Sequence, residues 1–310
     1  METYKGLQAV ILENDWLRLT VLPDLGAKIA SLIYKPQYFE VFFQPADNRF
    51  RVSRYAADFA EYDTAGADEM FPTIDACLYP YDGYAGTVLP DHGDLWSIPW
   101  QVTVTGQQQL FGRVAGRSLP YEFTRTLTLN KSQVQLTYRL KNYGAKPLYG
   151  IWAFHGLTAC DENTQIILPA TDRVINVHNS ALLGTAGTRH RFPVTTDRAG
   201  QSCRLDRIKA WAVNTTAKFY TDGKVGCGQA GLTLNQNRLL YQLFFPKEHI
   251  PYLGVWINQG GFKGEYNCAL EPSNGFYDSP ATAKQLGALE PILPGAVLEW
   301  FLTINLEALL

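Results

Sequence analysis

The chain of 310 residues is short of charge, of sulfur and of histidine. Charged residues make up 18%, and 27 Lys and Arg against 29 Asp and Glu leave a formal net charge of −2. The basic residues are scattered. Nothing forms the stripe that follows a phosphate backbone or clings to an anionic bilayer, so neither nucleic acid nor membrane is an expected partner. No apolar run approaches the ~20 residues needed to span a membrane; the longest, LYGIWAF, reads as a buried strand. The opening METYKGLQAVILENDW lacks a basic segment followed by an apolar one, the pattern of a signal peptide, so the expected location is the cytoplasm. Five cysteines, Cys77, Cys160, Cys203, Cys227 and Cys268, are odd in number and widely spaced. That argues against a disulfide framework and against a zinc site. There is no H-E-x-x-H and no G-x-S-x-G. No metal and no cofactor is expected.

What the chain does have is a period of two. WLRLTVL alternates, as do YEFTRTLTL and QVQLTYRL, the last two joined by the polar Asn130-Lys131-Ser132 as in a hairpin. KIASLIY, WQVTVTG, PLYGIWAF, RLLYQLFF, YLGVWIN and EWFLTINL are further strand candidates, rich in the β-branched and aromatic residues that pleated surfaces favour. Helical signals are few; ATAKQLGALE could hold a turn or two before Gly287 interrupts it. The expected fold is one all-β domain over residues 1–310, a large two-sheet antiparallel β-sandwich. Long loops are expected around Arg49 to Asp91 and Ala170 to Gly200, and loops of that length are usually functional.

Several stretches invite a chemical reading. GCGQAG, from Gly226 to Gly231, fits G-x-G-x-x-G, but a strand pattern follows where a dinucleotide site needs a helix, so it reads as a β-turn. His92 stands in PDHGDLW beside Trp96 and Trp100. It is either a loop histidine satisfied by Asp91 or Asp94, or a group in an aromatic-walled cleft of the kind that packs on a sugar ring. His155 ends an apolar strand, where an ionisable group is costly unless hydrogen-bonded. Asp68 and Glu69 lie in GADEMFP before His92; solvated loop charge and a site role are about equally weighted. Asp161 and Glu162 read as loop charge. Glu271 closes the strand YNCAL ahead of a Pro-Ser-Asn-Gly turn, an ordinary strand-end glutamate or a carboxylate facing a cleft. His178, His190 and His249 are placed on the surface by default, although the first two would reach a cleft if the middle loop folds over it.

Taken together, these pieces resemble the galactose mutarotase, or aldose 1-epimerase, superfamily. His92-Gly93 is followed by Pro99-Trp100 at the spacing of that family's first motif. Phe154-His155-Gly156-Leu157 sits where its second histidine ends a central strand, and ALEPSNG then ILPGAVLEWFLTINL matches its terminal glutamate and closing strand. The resemblance covers nearly the whole chain and marks a divergent member. Gly-Leu-Thr follows the second histidine where characterised relatives have a Tyr-Phe-Asn type sequence, and their sugar-holding Asn-Arg pair and aspartate have no clean counterpart.

The resemblance implies a sandwich with a sugar cleft on the concave face of one sheet. It further implies an isomerase of carbohydrate metabolism that interconverts the α and β anomers of an aldose by acid/base ring opening, without a cofactor. Glu271 would be the base, His155 the acid, and His92 the group polarising the ring oxygen. Trp96, Trp100 or Trp256 would stack on the sugar, with Asp68, Glu69 and Arg54 as further substrate-binding candidates. A hexose phosphate is a variant, to be held by Arg49, Arg51 and Arg54, although the favoured reading of these three is exposed positions on one loop. The small-molecule sugar is the only partner expected, with the chain a monomer or homodimer. The rival readings are a non-catalytic carbohydrate-binding protein of this fold and a glycoside-cleaving enzyme on a similar sandwich, which would need a second carboxylate.

Overall fold

The computed structural model describes residues 2–309. Two antiparallel sheets face one another across an apolar interior, which is the all-β sandwich expected from the period-two pattern. The larger sheet has 13 strands. Its central run is Lys28–Tyr34, Ala67–Met70, Ala153–Gly156, Tyr266–Ser273, Tyr252–Gln259 and Thr215–Thr221 in spatial order. The smaller sheet has eight strands, with Val297–Ala308 paired between Leu239–Phe244 and Gln133–Asn142. No helix among the described residues is long and apolar enough to cross a membrane.

Alternation decides which way each strand faces. In Gln133–Asn142, Val134, Leu136, Tyr138 and Leu140 are buried, and their neighbours on the other face are partly or fully exposed. Each fully buried Leu or Phe of this kind contributes roughly 1.5–3 kcal/mol. The hairpin from Tyr121 to Asn142 turns at Lys131 and Ser132, with Lys131 in the left-handed region at φ 51°. The one α-helix among the described residues, Pro280–Leu286, is capped by Ser279 and ends where Gly287 takes φ 62°, as the interrupting glycine implies.

Several boundaries differ from the sequence expectation: the expected loop around Arg49 to Asp91 contains the central strand Ala67–Met70, and that around Ala170 to Gly200 contains Arg173–Asn176, Arg189–Arg191 and Val194–Thr196. PLYGIWAF does not run as one strand: only Ala153–Gly156 joins the sheet. The segment before it leaves the ladder because Ile151 N–H donates to Pro72 O and Trp152 N–H to the side chain of Asn274. Glu271 does not close its strand either. The ladder continues through Pro272 to Ser273, so the carboxylate is held inside the sheet. Gly228 of GCGQAG lies against Phe245 O, where a Cβ would come within 1.7 Å, and leads into the strand Gln229–Leu234. Gly228 serves a close backbone approach, while a Cβ on Gly226 would meet nothing within 4 Å.

Candidate functional site

Three strands of the larger sheet place the central groups. Register sets Tyr220, Gly254 and Glu271 side by side across Thr215–Thr221, Tyr252–Gln259 and Tyr266–Ser273, and Lys218 opposite Trp256. Directly paired residues share a sheet face, as do residues two apart. Lys218, Tyr220, Trp256 and Glu271 therefore stand on one face, while Phe219, Val255 and Leu270 pack into the apolar interior on the other. Gly254 leaves space here: a Cβ would meet the Tyr220 ring at 3.1 Å and the Cβ of Glu271 at 3.4 Å.

On that face lies a cleft of about 330 Å³, within the size range of small-molecule sites. His92, His155 and Glu271 all line it, although they come from distant parts of the sequence. So do Trp256, Phe59, Lys218 and, from the long middle loop, His178 to Ser180. Both loops expected to be functional reach the cleft: the first supplies Phe59, Asp75, Asp91 and their neighbours, the second His178.

His92 occupies a strained turn at φ 57°, followed by Gly93 at φ 72°. A Cβ on Gly93 would come within 2.2 Å of Phe71 O, so this approach requires the glycine after His92. Asp94 fastens the turn, accepting hydrogen bonds from Tyr55, Ser118 and Tyr121 side chains and from the Arg117 and Ser118 amides. The His92 ring contacts Asp91 Oδ1 through Nδ1 at 2.9 Å and stacks on Phe59 at 4.0 Å between centroids. Asp91 thus satisfies one His92 nitrogen, and the residue also lines the cleft. Burial disfavours the Asp91 charge, yet the hydrogen bond with His92 holds its pKa below the ordinary carboxylate value.

His155 lies in the strand Ala153–Gly156, its ring 5.5 Å from both Phe59 and His92. It is 7% exposed and its Nδ1 has no protein partner. Burial first, and then the nearby His92 and Lys218, push its pKa well below the usual histidine value, so the imidazole is neutral at pH 7.

Glu271 is fully buried and neither carboxylate oxygen accepts an aligned hydrogen bond. Burial raises its pKa; the Lys218 ammonium, 3.0 Å from Oε2, opposes the rise. The same ammonium lies 3.1 Å from Asp278 Oδ2. Burial pulls the Lys218 pKa down, but Asp278 and Glu271 together outweigh it and keep the amine charged. Asp278 also accepts a hydrogen bond from Tyr220 Oη at 2.8 Å, and its Oδ2 is 3.2 Å from His178 Nε2. Asp75 approaches the same His178 nitrogen at 3.4 Å, and the two carboxylates push the His178 pKa up to about 9. Asp75, His178 and Asp278 bring ligand-type atoms within 4.8 Å of one another, with Lys218 already supplying positive charge to Asp278.

Five of the residues expected from the sequence stand outside the cleft lining. Trp96 is buried behind it, its indole donating to Asp91 O and its ring edge-on to Phe59, so it supports the wall without forming it. Trp100 is deeper still, donating to Leu95 O in the apolar interior with Arg125 over its ring. Asp68 and Glu69 are not loop residues; they lie in the strand Ala67–Met70 and face opposite ways. Asp68 pairs in register with His155 and is fully buried against Lys28 at 2.7 Å. Glu69 points between the sheets, where Arg125, Tyr138 and Trp152 all donate to it. Arg54 lies on the exposed loop beside Tyr62. Arg49 and Arg51 also stay outside the cleft, and Arg51 is paired with Asp47.

Lys218, Asp278 and Phe59 were not singled out by the sequence, and His178 was assigned to the surface. The signal for Lys218 is a lone cation inside TTAKFYT, an otherwise uncharged β-type run. His190 stays out of the cleft, held by Leu183 O and Thr195, and His249 is exposed.

No protein-family model and no curated protein matches this chain. Solved structures do. A Synechocystis protein superposes with a TM-score of 0.74 at 16% identity, over 100% of this chain and 99% of its own. A presumptive aldose 1-epimerase from Escherichia coli K12 gives 0.71 at 16%, over 98% and 100%. A galactose mutarotase related enzyme from Lactobacillus acidophilus gives 0.70 at 14%, over 97% of each chain. At such identities the likeness is one of fold, and the fold is the galactose mutarotase-like sandwich.

Proposed function

We propose that this chain, a galactose mutarotase-like sandwich, is an aldose 1-epimerase-type isomerase that opens and recloses the ring of a neutral sugar. The observation that carries the reading is the convergence of Glu271, His155 and His92 on one cleft walled by Trp256 and Phe59.

Anomer exchange needs a proton taken from the anomeric hydroxyl and one given to the ring oxygen, with the reverse on closing. Glu271 suits the first role. Burial strengthens it as a base, and the Lys218 ammonium opposes that rise by favouring the charged form. Two carboxylate oxygens without aligned donors are free to accept the hydroxyl proton. His155 suits the second. In its protonated form the imidazole can give a proton to the ring oxygen in opening, and the neutral ring left behind takes that proton back in closing; the lowered pKa makes the imidazolium a strong acid. His92, oriented by Asp91 and by its stack on Phe59, would hydrogen-bond the ring-oxygen region. Trp256 offers an aromatic face for the C–H side of the sugar.

A phosphorylated sugar fits less well, because no arginine lines the cleft and Lys218 is already engaged by two carboxylates. Glycoside cleavage also fits less well: Asp68 and Glu69, its candidate second carboxylates, lie outside the cleft.

The test is exchange spectroscopy between the anomeric protons of glucose, of galactose and of glucose 6-phosphate at neutral pH. Protein-dependent exchange with either neutral sugar supports the reading. Binding of those sugars without any acceleration would instead favour a carbohydrate-binding protein of this fold.

A further inference from the structure

The cleft is not closed at its far side. A second depression of about 660 Å³ adjoins it, with Ala60, Thr64 and Glu265 lining both. The shared wall is polar: Thr64 Oγ1 donates to Glu265 Oε2 at 2.6 Å. We propose that this second depression is a saccharide subsite built around Trp211, and that the ligand is an oligosaccharide whose reducing-end unit enters the cleft. The inference rests on the isomerase reading for the reducing-end unit alone.

Trp211 is the reason. Its side chain is 55% exposed, yet its position is fixed. It opens the short helix Trp211–Val213, and its indole Nε1 donates to Gly264 O at 2.8 Å. Gly260 packs against it so closely that a Cβ there would come within 2.5 Å of Trp211 O and 3.2 Å of Nε1. Single exposed apolar residues are ordinary on a protein surface. An anchored indole in a groove that adjoins a sugar-type cleft is a different case, since it presents a large face in one orientation at little entropic cost. Phe43, Tyr62 and Tyr266 line the same groove.

The charges there select the ligand class. Arg51 is paired with Asp47, and Lys263 donates to Tyr62 O. Both cations are thus engaged, and four acids, Asp47, Glu61, Asp63 and Glu265, outnumber them in the lining, which disfavours an anion. Flat aromatic faces beside hydrogen-bonding groups suit an uncharged polyhydroxylated chain.

The experiment is indole ¹⁵N–¹H NMR of the full chain, with the Trp211 signal assigned by its loss in Trp211→Phe. The probes are glucose, galactose, maltotriose, cellotriose and β-1,4-linked galactotriose. At least one trisaccharide should move the Trp211 signal and bind about tenfold more tightly than its monosaccharide, the scale of one aromatic contact. Trp211→Ala should abolish that gain and leave monosaccharide binding unchanged. If no trisaccharide moves the signal, or if Trp211→Ala weakens mono- and trisaccharide alike, the subsite is refuted. Anomeric exchange of glucose and galactose, read in the same samples, separates the two ideas. A Trp211 response without exchange keeps the subsite and sinks the isomerase; exchange without a response does the opposite.

Discussion

The Lys218 ammonium lies 3.0 Å from Oε2 of Glu271, and no other ion pair to Glu271 occurs among the described residues. The candidate base is therefore a buried carboxylate with one counter-charge, which that counter-charge shares with Asp278. The arrangement makes the base strong and conditional at once. Burial raises its proton affinity, and Lys218 decides how far.

Removing the counter-charge should be visible in a pH profile. Lys218 favours the charged form of Glu271, so Lys218→Met should raise the Glu271 pKa further. The acidic limb of the anomeric-exchange profile should then move to higher pH. The variant should also unfold more easily, by about 3–5 kcal/mol, because a buried pair has lost one partner. An unmoved acidic limb in a folded variant would remove Lys218 from the mechanism.

Loss of the proton-transfer groups themselves should leave the fold standing. Glu271→Gln and His155→Asn should each lower exchange by ~10²–10⁴-fold, the usual worth of a positioned acid or base. Circular dichroism should be unchanged. Full turnover in Glu271→Gln would show that the base lies elsewhere.

His178 ties the middle loop to Asp75 and Asp278, and its pKa is raised to about 9. An unfolded histidine titrates near 6.5. The stabilisation from this raised value is thus fully present below about pH 6.5 and is lost as pH climbs through about 9. The side chain is 45% exposed, so solvent screening keeps the effect small. The melting-temperature gap between the parent chain and His178→Gln should be widest at pH 6 and shrink toward pH 10. A gap that does not change with pH would mean that His178 carries no charge in the fold.

Glu69 and Arg125 join the two sheets, each fully buried. Arg125→Met leaves the Glu69 carboxylate with Tyr138 and Trp152 as donors but no positive charge. Denaturant unfolding should register a loss of about 3–5 kcal/mol. Sugar affinity in the folded fraction should stay the same, since neither residue lines the cleft. A changed affinity at unchanged stability would return Glu69 to the site.

The sequence carried more of the fold than of the site. Strand alternation is a local property, so Lys28–Tyr34 and the hairpin around Lys131 could be read residue by residue. The two His-Gly pairs and the terminal glutamate were visible through their spacing. The facing of Asp68 and Glu69 was not, because an acidic pair inside GADEMFP looks the same whether it meets water or a buried cation. Only packing supplied Lys28 and Arg125 as their partners. Trp96 and Trp100 misled for a related reason: an aromatic near a candidate histidine can line a cleft or brace it from behind, and composition does not distinguish the two.

By itself, then, the sequence determined an all-β sandwich and its regular hairpins, and it singled out Glu271, His155 and His92 as candidates through a family resemblance. Tertiary structure alone decided that these three share a cleft, that Lys218 and Asp278 govern the charge of one of them, and that His178 closes in from the middle loop. The physical reason is one of range. Strand pattern is written in neighbours two residues apart, whereas a buried charge is defined by whatever the folded chain brings to within about 3 Å of it, from any distance along the sequence.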